Sequence, residues 1–136
     1  MEMADIWPLA DYITIHVPLL PSTHHLMSGA VFSACKRGFK LVNCARGGIV
    51  HEADLLAALS DGRCSGAALD VFEQEPPAFA ALVQHPMLIC TPHLGASSVE
   101  AQNRVATDIA EQMVKFVKMG ELIGGVGDSA SFGVCV

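Results

Sequence analysis

Three short stretches of the 136-residue sequence carry side chains suited to moving a proton and gripping a carboxylate. Arg46 follows Asn43-Cys44-Ala45 and precedes Gly47-Gly48. Its guanidinium is a planar fork of donors that matches a carboxylate, and paired glycines let the backbone come close to a ligand. The same arginine on a plain surface would instead form an ion pair. His93 stands in Pro92-His93-Leu94-Gly95, just past an apolar run. An imidazole, with an ordinary pKa of about 6.5, exchanges protons with an alcohol or carbonyl near neutral pH, whereas a lone histidine is commonly structural. Glu75, in Asp70-Val71-Phe72-Glu73-Gln74-Glu75-Pro76-Pro77, would hold that imidazole and favour its protonated form. Glu73 reads as solvated, while Asp70, costly to bury unpaired, either meets a ligand or caps a local turn.

Such groups need elements to bring them together. The runs 12–17, 39–44, 66–71 and 87–91 are short and rich in β-branched or apolar residues, as strands are. Between them, Ser28 is placed to cap a helix running to Ala34. The stretch from Glu52 to Leu59 sets Leu55, Leu56 and Leu59 on one helical face, with Gly62 as its stop. A long helix is expected from Ser97, where Ser97-Ser98-Val99-Glu100 has capping-box spacing. Its residues Val105, Ile109, Met113 and Val117 recur every four positions and read as core. Strands joined by helical crossovers imply an α/β fold with a parallel sheet, whose ligands bind beyond the carboxyl ends of the strands. Arg46, Asp70 and His93 all fall at such ends.

Composition removes other functions. Half the residues are hydrophobic (51%) and the formal net charge is −6, with no cationic cluster to attract nucleic acid or an acidic membrane surface. No apolar run reaches the ~18 residues of a membrane span and no secretory leader is evident, so a cytoplasmic protein is expected. The five cysteines are odd in number and lack C-x-x-C spacing, which favours reduced thiols and no metal site. Organisation reads as one domain over 1–120 and a Gly/Ser-rich tail over 121–136. Within the tail, Gly125-x-Gly127-x-x-Ala130 formally matches a dinucleotide fingerprint, but it lacks the flanking strand and helix that give the fingerprint its meaning.

The stretches Asn43–Val50, Gly66–Pro76 and Pro92–Ser97, in this order and spacing, resemble the three signatures of the D-isomer-specific 2-hydroxyacid dehydrogenase family, and the likeness runs from about Ile6 to Gly124. Trp7-Pro8-Leu9, His16-Val17-Pro18 and Glu100-Ala101-Gln102 place it nearest the phosphoglycerate branch. The resemblance implies a partial Rossmann-like, doubly wound NAD-binding domain, without its first βαβ unit and without the separate substrate domain. It implies NAD as cofactor and a small 2-hydroxy acid, 3-phosphoglycerate, as substrate, oxidised to its 2-keto acid at the entry to serine biosynthesis. Arg46 would bind the substrate carboxylate, His93 would be general acid and base at C2, and Glu75 would orient His93. Val17, Cys44, Ala45, Arg46, Asp70, His93, Leu94, Gly95 and Ala96 would surround the nicotinamide end of NAD. The complete enzyme would be a homo-oligomer.

Departures from the family pattern limit these expectations. Val17 stands where the family usually has Thr, and His51 where an acidic residue is common at an exposed helix start. No Gly-x-Gly-x-x-Gly precedes Tyr12, so half a cofactor site is expected, and the strand at 12–17 would be an edge whose missing neighbour invites self-association. Two other classes remain open at this point: a shortened, non-catalytic product that binds through its sheet edge, and a corepressor-like relative that senses NAD.

Overall fold

A computed structural model of the protein describes residues 2–121. The tail pattern at 125–130 lies outside the described residues, as does Cys135. The elements are α1 (Met3–Ile6), β1 (Tyr12–Ile15), α2 (Gly29–Ala34), β2 (Phe39–Asn43), α3 (Glu52–Ser60), β3 (Cys64–Leu69), α4 (Ala80–Val83), β4 (Leu88–Cys90) and α5 (Val99–Met119). The chain forms two compact units, Met1–Gly95 and Ala96–Val136.

In the first unit the strands lie in the order β1-β2-β3-β4, and every neighbouring pair is parallel. Each parallel pair is joined through a crossover, which is the α/β arrangement expected from the alternation of strand and helix patterns. Along β2 the side chains alternate, with Phe39, Leu41 and Asn43 buried while Lys40 is exposed. The buried set meets Phe32 of α2, Leu55 and Leu59 of α3 and Leu82 of α4, with Phe32 and Phe39 stacked at 6.0 Å between ring centroids. Burying one such side chain stabilises the fold by about 1.5–3 kcal/mol. Among the described residues of this unit nothing covers the opposite sheet face: Tyr12, Lys40, Val42, Ala68 and Ile89 line a shallow groove, and Tyr12 and Ile89 stay 71% and 69% exposed.

Local structure departs from the sequence expectations at two helices. Ser28 occupies the N-cap position of α2, but its side chain caps nothing; the Gly29 N–H donates instead to Asp54 Oδ2 at 2.6 Å. The start of α5 falls one residue later than expected, because Ser98 Oγ accepts from the Ala101 N–H at 3.1 Å and Ser97 is not the cap. The stripe expected to be core is regular but exposed, with Val105 at 51% and Val117 at 80%. A four-residue period shows that a helix has an apolar face, not that its covering surface belongs to the same stretch of chain.

Candidate active site

The carboxyl ends of β2, β3 and β4 each lead directly into one of the residues picked out above. After β2 the chain turns on Asn43, whose side chain is buried; its Oδ1 accepts from the Ala45 N–H and its Nδ2 donates to the Arg46 carbonyl, both at 3.0 Å. This clamp sets Arg46 outward. The guanidinium donates only to its neighbour's carbonyl, Ala45 O, at 2.7 Å, and among the described residues no carboxylate pairs with it. The fork is therefore open to an incoming anion. Gly47 is required by space: a Cβ there would sit 1.7 Å from the Phe72 carbonyl oxygen. The Arg46 turn thus rests directly on the loop after β3.

That loop begins at Asp70, buried at 4% exposure. Its Oδ1 accepts from the Thr91 hydroxyl and from the Leu94 N–H at 2.7 Å, and its Oδ2 accepts from the Gly95 N–H at 2.9 Å. The Thr91 hydroxyl, then the Leu94 N–H, hold the Asp70 carboxyl below the usual carboxylate range. Of the two readings of Asp70, the turn-capping one is what the contacts display. It secures the residues around His93, which adopts a left-handed φ of +58°. That conformation costs a non-glycine residue about 1–3 kcal/mol and persists only where its surroundings over-determine it. His93 is then met by Glu75, whose Oε2 lies 2.8 Å from His93 Nδ1 and whose Oε1 accepts from the Phe72 N–H at 3.1 Å. The His93 contact, then the Phe72 N–H, lower the Glu75 pKa. With Nδ1 so engaged, Nε2 is the ring nitrogen left for a ligand.

Two clefts open on this edge. One, of about 540 Å³, is walled by Phe72, Pro76, Cys90 and Pro92 and carries Glu75 and His93. The second, of about 290 Å³, gathers His16, Val17, Pro18, Cys44, Ala45 and Arg46. A Cβ on Gly95 would fall 3.4 Å from Asp70 Oδ2 and 3.9 Å from the Cys44 carbonyl, so the loops after β2 and β4 approach each other. Of the residues expected around the nicotinamide, Val17, Cys44, Ala45 and Arg46 share one cleft, Asp70 and His93 share the other, and Leu94 and Gly95 are tied to Asp70. Ala96 lies in the second unit.

A nicotinamide ring needs flat apolar walls and a few amide partners, and the donor set fits that end of the cofactor. A pyrophosphate finds no cradle among the described residues. The first turn of α3 carries Glu52 and Asp54, and the Gly29 N–H of α2 is already taken by Asp54. Burial raises the Cys35 pKa to about 11, helped by neighbouring Cys64, and also raises Cys64 and Cys90, which keeps these thiols protonated and unreactive.

Sequence reasoning missed Asn43 and Thr91, whose neighbours in space are not their neighbours in sequence; Glu73 is exposed, as expected of a solvated residue, but it also carries a role that the sequence did not show. Glu73 and Glu52 exchange bonds: Glu52 Oε1 accepts from the Glu73 N–H at 2.7 Å, and Glu73 Oε1 from the Glu52 N–H at 3.1 Å. Burial raises the Glu52 pKa.

Residues 1–95 match the family model for the D-isomer specific 2-hydroxyacid dehydrogenase NAD binding domain. The chain is 54% identical over 130 residues to D-3-phosphoglycerate dehydrogenase of Rattus norvegicus, a match that covers 96% of this chain and 24% of that protein. It therefore spans about a quarter of the curated relative's length. Among solved structures it is similar to a glyoxylate reductase from Paecilomyes thermophila, with TM-score 0.86 and 27% identity over 90% of this chain and 38% of that one. It is also similar to the NAD-dependent formate dehydrogenase from Staphylococcus aureus in complex with NAD, with TM-score 0.85 and 30% identity over 94% of this chain and 40% of the other.

Proposed function

Because this chain belongs to the D-isomer-specific 2-hydroxyacid dehydrogenase family, within its NAD-binding domain, we propose that it supplies the proton-transfer and carboxylate-binding groups for interconverting 3-phosphoglycerate and 3-phosphohydroxypyruvate. The observation that carries this reading is the Glu75–His93 contact at 2.8 Å, on the strand-end edge that also presents an unpaired Arg46. Arg46 grips the substrate carboxylate through two parallel N–H bonds. That grip sets C2 and its oxygen beside His93 Nε2, the ring nitrogen Glu75 leaves free. In the oxidative direction the C2 hydroxyl passes its proton to Nε2, and Glu75 steadies the imidazolium that forms. NAD supplies the acceptor for the hydride leaving C2. The apolar side chains Phe72, Pro76 and Pro92 wall the cleft in which the pair stands.

Among the described residues no helix is long and apolar enough to cross a membrane. The identity to D-3-phosphoglycerate dehydrogenase favours a phosphorylated three-carbon acid over the other 2-keto acids. The test is a chimera in which this chain replaces the matching stretch of the rat enzyme, assayed with NADH against 3-phosphohydroxypyruvate, glyoxylate and phenylglyoxylate. The proposal expects 3-phosphohydroxypyruvate to give the highest kcat/KM; preference for either other acid would reassign the substrate.

A further inference from the structure

Three histidines that the reaction does not use lie ring against ring. The centroids of His24 and His25 are 3.8 Å apart, and those of His25 and His51 are 4.5 Å apart. Carboxylates face two of them: His25 Nε2 lies 3.4 Å from Glu73 Oε1, and His51 Nδ1 lies 2.9 Å from Asp54 Oδ2. Glu73 is the residue that exchanges backbone bonds with the buried Glu52. His25 is one of two described non-glycine residues in the left-handed region, with φ +50°; the other is His93. A bulky residue persists there only where its surroundings hold it.

The backbone explains what holds it. The His25 N–H donates to the Gly48 carbonyl at 2.8 Å, the Met27 N–H to Ile49 at 3.0 Å and the His51 N–H to Met27 at 2.9 Å. His25 thereby ties its main chain to the turn that carries Arg46 and its ring to Glu73, two residues before Glu75. The reaction gives this link a purpose. A 2-hydroxy acid bears its carboxylate and its reacting hydroxyl on adjacent carbons, so the groups that take them must keep a fixed separation. Misplacing a reacting group by about 1 Å can cost 10²-fold in rate.

We propose that His25 is a positioning residue which, through Gly48 on one side and Glu73 on the other, sets the spacing between Arg46 and the Glu75–His93 pair. This rests on the reaction proposed above. Loosening the link moves the Glu75 loop and weakens the bonds Glu75 receives, while the residues that meet the substrate are unchanged.

Two measurements test it. In the 136-residue chain itself, the Glu75 carboxyl is followed by carbon-13 NMR as pH falls. His25→Asn keeps a residue that tolerates positive φ but removes the ring, and should raise the Glu75 midpoint toward the ordinary glutamate value. Glu73→Ala should do the same, Glu73→Gln should restore most of the difference because its oxygen still accepts, and His24→Asn should leave the midpoint in place. In the chimera with the rat enzyme, His25→Asn and Glu73→Ala should each lower kcat about 5- to 30-fold with KM for NADH within about twofold, and the double variant should be no worse than the poorer single one. If His25→Asn does not fold, the Glu73→Ala and Glu73→Gln pair carries the test alone. A Glu75 midpoint unmoved by Glu73→Ala, or a kcat within twofold of the parent, overturns the proposal. A parent chimera that is inactive, or whose turnover survives His93→Ala, overturns the reaction instead and leaves the NMR result to stand separately.

Discussion

At the scale of single residues, environment decides what each ionisable group can do. Glu75 and Glu52 are both glutamates, yet donated hydrogen bonds lower the pKa of one and burial raises that of the other. Two tests follow. Glu75→Gln keeps the shape but removes the charge that, in the proposed reaction, steadies the imidazolium, so the acid form should be harder to reach and the pH profile of keto-acid reduction should move to lower pH. Arg46→Lys in the same chimera should raise KM for the keto acid, because a point ammonium cannot reproduce a two-pronged grip. Profiles of kcat/KM against pH check both, and an unshifted profile in Glu75→Gln would remove that residue from its role. For Glu52 the sign runs the other way. Its folded pKa lies above the unfolded one, so its favourable contribution is complete below the unfolded value and is lost as pH rises through the folded one. Glu52→Gln retains an oxygen for the Glu73 N–H and removes the buried charge, so its stability relative to the parent should grow from pH 4 to pH 8 in urea unfolding. A relative loss over that range would contradict the assignment. Positions 46, 75 and 93 stood out in the sequence because their three motifs together resemble the signatures of the family; taken singly, an ion pair, a solvated loop or a structural histidine reads the same residues equally well. The Asn43 clamp and the Glu52–Glu73 exchange were not legible, since both depend on bonds that only the folded chain closes.

At the scale of elements, the sequence shows strands more faithfully than helix ends. β1 and β2 fall where β-branched runs predict them, and the parallel order follows from their separation by crossovers. β3 begins at Cys64, before the expected Gly66, because α3 ends tightly at Gly62 with φ +73° and the chain resumes its extended path at once. The cap of α5 was misplaced by one residue because the sequence offers two adjacent serines and only geometry selects between them, whereas Ser28 does stand at the N-cap of α2 without making a capping bond. α1 and α4, four residues each, are too short to show a helical period. The turn after β2 shows how tightly one element constrains another. Gly47→Ala would drive a methyl into the Phe72 carbonyl, so the Arg46 turn and the Glu75 loop must separate. We expect a loss of about 1–3 kcal/mol in chemical unfolding, together with a loss of activity in the chimera larger than that of Gly66→Ala, whose added carbon meets only the Met87 carbonyl at 3.7 Å, an ordinary contact. Equal effects would show that the close approach is not essential.

At the scale of the whole molecule, the strand ends of the first unit gather the candidate residues, and among the described residues of that unit nothing covers the opposite sheet face. β1 is a terminal strand of the described sheet, beside an exposed groove of Tyr12, Val42 and Ile89. Unpaired strand edges next to apolar surface pair with other chains. Sedimentation of the isolated 136-residue polypeptide should therefore show concentration-dependent association, and a monomer at all concentrations would count against it. The fold class and the strand-end location of the site were legible because the alternation of patterns fixes both; the exposure of the α5 stripe was not, because periodicity carries no information about what covers a face. The central claim, that this chain holds the proton-transfer centre of a 2-hydroxyacid dehydrogenase, is tested most directly by single-turnover reduction of 3-phosphohydroxypyruvate by NADH in the chimera and in its His93→Ala variant. The account predicts that His93→Ala slows the chemical step by about 10²–10⁴-fold while NADH still binds; a rate within a few-fold of the parent would contradict it.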